Sequence, residues 1–161
     1  MGMGVTIHGY IATPCIIEGE LDEYRHNRLV IRSIPVDWAN HWIIRGMFNM
    51  PRYRHGKGAS IPHYDVAPIS FAANYKEMLR IPVEWIAEFE AILRRLYWEE
   101  AIVISEFTTI RYEWSLEPGV VNNPAHPADF KLRCSAGKLE ELPFDLAIDG
   151  DYSVKGCASS K

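Results

Sequence analysis

Residues 52–58 read RYRHGKG and concentrate the groups that hold an anion: Arg52, Arg54, His55 and Lys57, with glycines at 56 and 58. Guanidinium forks and an ammonium group suit a phosphate or carboxylate. The phosphate-loop pattern nevertheless fails, because it needs a glycine five residues before Gly56 and a hydroxyl after Lys57. Pro51 and Gly58 stand at those places. Two readings remain: a looser anion site of Arg52, Arg54, His55, Lys57 and His63, or a solvated glycine loop.

Other chemistries find less support. The six histidines, His8, His26, His41, His55, His63 and His126, form no HxxxH or HExxH pair and no Cys/His pair of metal-binding spacing. His55 and His63 flank one loop with Asp65, but no third close ligand accompanies them, so neither a metal nor a cofactor is expected. There is no GxSxG elbow, and Cys134 in RCS is expected on the inward face of a strand, as a small hydrophobe. The adjacent pairs Glu99/Glu100 and Glu140/Glu141 read as solvated surface. No reaction is indicated, and a non-enzymatic role is the expectation.

Charge narrows the partners. The formal net charge is −4: residues 1–80 carry nine Lys/Arg against seven Asp/Glu, and residues 81–161 carry eight against fourteen. The halves therefore stand at +2 and −6. Arg52, Tyr53, Arg54, His55 and Lys57 are a fragment of the basic, aromatic stripe that nucleic acid needs, but the acidic second half opposes a polyanion. It favours a basic protein instead. Glu84, Glu88, Glu99, Glu100, Glu106 and Glu113 fall at outward positions of the elements below, and with Trp85 as an aromatic anchor they predict an acidic docking surface. An ordinary charged face over a core tryptophan is the alternative.

The elements that must position these residues follow from periodicity. VTIHGYI (5–11) alternates Val5, Ile7 and Ile11 against Thr6, His8 and Tyr10, as a half-buried strand does. ELDEYRHNRLVIRS (20–33) sets Leu21, Tyr24, Arg28 and Ile31 on one helical face, with acids early and arginines late. Trp38 and Trp42 stand one helical turn apart, and Asp37 suits a cap, so a short second helix ending at Gly46 or Asn49 is expected. Residues 51–60 read as a loop and 64–73 as an edge strand with a proline. PVEWIAEFEAILRRLYW (82–98) predicts a helix with Ile86, Phe89, Leu93, Leu96 and Tyr97 inward and Trp85 on its other side, stopping near Trp98.

In residues 101–116, AIVISEFTTIRYEWSL, the even positions Ile102, Ile104, Ile110, Tyr112, Trp114 and Leu116 share a face. As one strand these residues would span about 53 Å, against a globule about 40 Å across. The chain must bend or turn near Thr108 and Thr109. Residues 117–129 read as an exposed loop. FKLRC (130–134) alternates again, and if it pairs with 110–116, Arg111 and Glu113 meet Lys131 and Arg133. FDLAI (144–148) is a last candidate strand, and a frayed tail is expected from about 155.

The run AILRRLYWEEAIVISEFTTIRYEWSL, an amphipathic helix feeding directly into an aromatic, acid-bearing β segment, resembles small bacterial immunity proteins, which neutralise a toxin made by the same cell. The resemblance covers about residues 82–116. It implies a cytosolic domain with no catalytic group and one tight partner, and it assigns no individual residues.

Three cysteines without regular spacing, no basic-then-apolar leader, and apolar runs far short of the ~20 residues a bilayer needs all favour the cytosol and no membrane span. The expectation is therefore one α+β domain over 1–161, an antiparallel sheet covered by two or three helices, acting as a cytosolic protein-binding module, with an immunity-type inhibitor as the form the resemblance implies. The rivals are a small enzyme or ligand-binding domain built on loop 51–63, and a homo-oligomer that buries Trp38 and Trp42.

Overall fold

The computed structural model describes residues 4–14, 21–50, 68–76, 81–106 and 108–136. In chain order the elements are β1 (Gly4–Ala12), α1 (Leu21–Ser33), β2 (Phe48–Asn49), β3 (Ile69–Lys76), α2 (Val83–Leu93), β4 (Glu100–Ser105), β5 (Ile110–Ser115) and β6 (Lys131–Ala136). The strands form one antiparallel sheet in the order β2-β3-β1-β4-β5-β6. The expected α+β class is what the described chain adopts.

Alternation along β1 decides the inner face. Val5, Ile7 and Ile11 are fully buried, and they share a core with Ile69, Phe71 and Tyr75 of β3, Val103 of β4, and Tyr112 and Trp114 of β5. Both helices contribute to the same core, α1 through Val30 and Ile31 and α2 through Trp85, Phe89, Ile92 and Leu93. Gly9 leaves no room for a side chain between β1 and its neighbours, since a Cβ there would overlap the Ile102 carbonyl oxygen and the Phe71 ring.

Helix α2 is rotated from the expected face. Trp85, placed outward by the sequence reading, is fully buried, whereas Ile86 is only half-buried. Centring the stripe on Trp85, Phe89, Ile92 and Leu93 removes the largest apolar side chain from water, which outweighs the lesser gain from Ile86. The helix also ends earlier than Trp98. After Leu93 the N–H groups of Arg95 and Leu96 bond back three residues to Ile92 and Leu93 at 3.0 and 3.1 Å, a tightened last turn. That turn carries Leu96 and Trp98 into the core on the way to β4.

Two asparagines hold this turn. Asn27 of α1 donates to the Tyr97 carbonyl at 2.9 Å and accepts the Tyr97 N–H at 2.8 Å. Asn122, fully buried, donates to the carbonyls of Leu96 (2.6 Å) and Leu93 (3.3 Å) and accepts the Ala128 N–H (3.0 Å). The stretch read as an exposed loop thus contains a buried clamp on the end of α2. Asn122→Ala strands those partners without water, and a loss of about 2–4 kcal/mol is expected in urea unfolding; a loss below 1 kcal/mol would mean that the clamp carries no weight.

Residues 101–116 form a hairpin, not one bent strand. Ser105 pairs with Ile110 and Val103 with Tyr112. Thr109 takes the left-handed backbone conformation that closes the link, with φ at 49°. The pairing corrects the shared even face. Ile102 and Ile104 lie across from Glu113 and Arg111, on the opposite side of the sheet from Tyr112 and Trp114. In β6, Glu113 faces Arg133 as expected, while Arg111 meets Ser135. At this margin burial falls away: Leu132 is half-buried and Cys134, expected inward, is exposed.

Strand β3 begins after Pro68 and pairs along its length with β1, and the two residues of β2 flank its other side. The candidate strand at 144–148 and the tail from 155 lie outside the described residues.

Candidate protein-docking surface

Residues 36–44, VDWANHWII, form a closed surface loop in place of the expected helix. Its neck is the Arg45 N–H bonded to the Pro35 carbonyl at 2.7 Å, an Ω-type closure. Trp38 and Trp42 keep the spacing of a helical turn, but the hydrogen bonds a helix would use go elsewhere. The Asp37 carboxylate accepts the Ala39 N–H at 3.3 Å, and the Trp42 N–H donates to Glu88 of α2 at 2.8 Å. Side chains that capture backbone donors in this way compete with helix formation. Beyond Ile44, one 3-10 turn (Arg45–Met47) leads into β2.

Tyr75 is the hub beneath the loop. Trp38 meets its ring edge-on at 5.6 Å, and Trp42 lies tilted at 6.5 Å. The Tyr75 hydroxyl donates to the Trp42 carbonyl at 2.5 Å and accepts the Trp85 indole N–H at 2.9 Å. The second Glu88 oxygen lies 3.1 Å from Nδ1 of His41, so one carboxylate holds two neighbouring loop residues to α2. Ile43 plugs the loop into the core. The two indoles nevertheless remain 50% and 40% exposed, with Val36 of the same loop at 61%. Half-exposed tryptophans fixed on a rigid base are what a hydrophobic contact surface offers.

Burial pushes the Tyr75 phenol up to about 12; the Trp85 indole N–H opposes the shift and the negative charge of Glu88 adds to it. A folded value above the unfolded one, about 10, means full stability below pH 10 and loss as pH rises through 12. Urea unfolding from pH 9 to 12 is expected to show this alkaline loss, and Tyr75→Phe to lack the part that Tyr75 contributes. Equal slopes in the two proteins would contradict the buried phenol.

The predicted acidic residues do not gather on one surface. Glu84 is exposed in the first turn of α2, and Glu88 lies one turn further, under the loop. Glu100, Glu106 and Glu113 lie on the side of the sheet away from the core, each beside a partner: Tyr10 hydroxyl at 3.3 Å, His8 at 3.3 Å and Arg111 at 3.4 Å. Glu99 is exposed where the chain enters β4, its N–H bonded to the Ala12 carbonyl. Trp85, the expected anchor, is a core residue. Trp38 and Trp42 take its place at the surface; the sequence had offered them only as a homo-oligomer contact. Arg52, Arg54, His55, Lys57 and His63 lie outside the described residues.

The far side of the sheet has an open cavity of about 540 Å³, lined by His8, Tyr10, Pro68, Ser70, Ile102, Ile104 and Arg111 among others. Partial burial and the neighbouring Glu100 raise the Tyr10 phenol. Of its polar groups, His8, Tyr10 and Arg111 are already beside carboxylates of the same face and Ser70 donates to the Asn49 carbonyl, so signs are mixed here. Among the described residues no three His, Cys, Asp or Glu side chains are placed to hold a metal ion, and no helix is long and apolar enough to cross a membrane.

No protein-family model matches this chain, and neither a curated protein nor a solved structure is detectably similar to it.

Proposed function

We propose that the chain is a cytosolic protein-binding module that docks its partner on the Trp38–Trp42 loop and the adjoining first turns of α2. The observation that carries this reading is a pair of half-exposed indoles held over Tyr75 by Glu88 and by the loop neck. Tryptophan is among the residues that contribute most to protein interfaces. A loop already fixed in place loses little conformational freedom on binding. The far sheet face is the weaker candidate, because none of the tryptophans lies on it.

An immunity-type inhibitor, occluding a cognate toxin, is the specific form suggested by the run 82–116. Quantitative affinity capture from the source cell, with the wild type beside a Trp38→Ser/Trp42→Ser variant, tests the reading. One partner retained by the wild type and lost by the variant is the expected result. Equal capture by both proteins would remove the loop from the interface.

A further inference from the structure

Resting on the docking reading, we propose that the partner presents a cationic side chain, an arginine or lysine, laid against the exposed indole of Trp38 or Trp42. The charges around the loop select this chemistry. Residues 36–44 and the first two turns of α2 contain Asp37, Glu84 and Glu88 and neither lysine nor arginine, while Glu90, further along α2, accepts the Trp114 indole N–H. The arginines at the loop neck are engaged within the fold, Arg45 donating to the Arg32 carbonyl at 3.2 Å and Arg95 to the Ser33 hydroxyl at 2.7 Å. Glu88 sets its negative charge at the Trp42 backbone, and the exposed Glu84 stands one helical turn away on α2.

An indole face attracts a cation through its quadrupole, and nearby carboxylates add a longer-ranged attraction. Arginine suits such a place better than lysine, because its planar and weakly hydrated group stacks on a ring while donating hydrogen bonds at its edge. On the far sheet face the signs alternate closely, since Arg111, Arg133 and Lys131 stand there among Glu100, Glu106 and Glu113.

The test follows the five tryptophan indole N–H signals by NMR while three peptides are added: acetyl-(Gly-Arg)4-amide, its lysine counterpart, and its citrulline counterpart, which keeps the shape of arginine without the charge. The Trp38 and Trp42 signals are expected to move with the arginine peptide, less with lysine and not with citrulline, while Trp85, Trp98 and Trp114 stay in place. The Asp37→Asn/Glu84→Gln variant, which keeps an acceptor for the Ala39 N–H, should weaken the arginine response about five- to tenfold at low salt.

Equal shifts with citrulline, or no shift at Trp38 and Trp42, would overturn the cation assignment. If the arginine peptide fails while Trp38→Ser/Trp42→Ser still abolishes capture, the docking reading stands and the cation assignment alone falls. Salt-insensitive self-association through this loop, seen by sedimentation, would replace the cationic partner with a second copy of the chain.

Discussion

Replacing Trp85 with alanine is expected to remove about 3–5 kcal/mol of folding stability, a large share of the roughly 5–15 kcal/mol typical of a domain. The indole is fully buried, stacks on Phe89 at 5.1 Å and 19°, and lies 6.5 Å from the Phe71 ring. Its N–H also fixes the Tyr75 hydroxyl. Alanine therefore leaves a cavity between α2 and β3 and releases one support of the tryptophan loop. Trp85→Phe keeps most of the volume and loses the hydrogen bond, so a smaller loss of about 1–2 kcal/mol is expected. In urea unfolding both midpoints should fall without a change of slope. A Trp85→Ala loss below 1 kcal/mol would favour the other rotation of α2, with Ile86 inward.

Trp38 and Trp42 should behave in the opposite way. Their rings contact Tyr75 but remain in water over much of their surface, so Trp38→Ser and Trp42→Ser are each expected to cost less than about 1 kcal/mol in stability. Binding should suffer far more, by about 2 kcal/mol or more for each, roughly 30-fold in Kd. Calorimetric titration with the captured partner, set beside urea unfolding of the same variants, separates the two effects. Loss of stability and of binding in proportion would mean that the loop serves only the fold. Unchanged affinity would place the contact elsewhere.

Elements with one favourable answer were legible in the sequence. The strict alternation of Val5, Ile7 and Ile11 against polar neighbours permits only one inward face. The alternation of 130–134 put Lys131 and Arg133 on one side of a strand, where Arg133 pairs with Glu113 and Lys131 with Ser115. The early acids and late arginines of 21–33 likewise suit a helix in only one direction. Ambiguity entered where a pattern had two solutions. Trp38 and Trp42 are four residues apart in a helix and in a loop alike, and the bond that decides comes from Glu88, 46 residues away from Trp42. The 82–98 stripe can be centred on Trp85 or on Ile86, and only packing against Phe71 and Trp114 chooses.

Strand β4 is apolar on both sides, so Ile102 and Ile104 gave no sign of facing away from Tyr112; that followed from the register Thr109 allows without a glycine. Nothing local distinguishes Asn122 from its exposed neighbour Asn123. The same limitation scattered the acidic surface. Carboxylates near one another in sequence were carried to the helical layer or to the far sheet face by elements whose placement is set by the core.

Hydrogen exchange of the five indole N–H groups, with and without the captured partner, tests the docking surface most directly. The account predicts slowed exchange at Trp38 and Trp42 in the complex, with Trp85, Trp98 and Trp114 unchanged. Unaltered exchange at Trp38 and Trp42, with new protection at the β4 and β5 amides around Ile102 and Arg111, would contradict it.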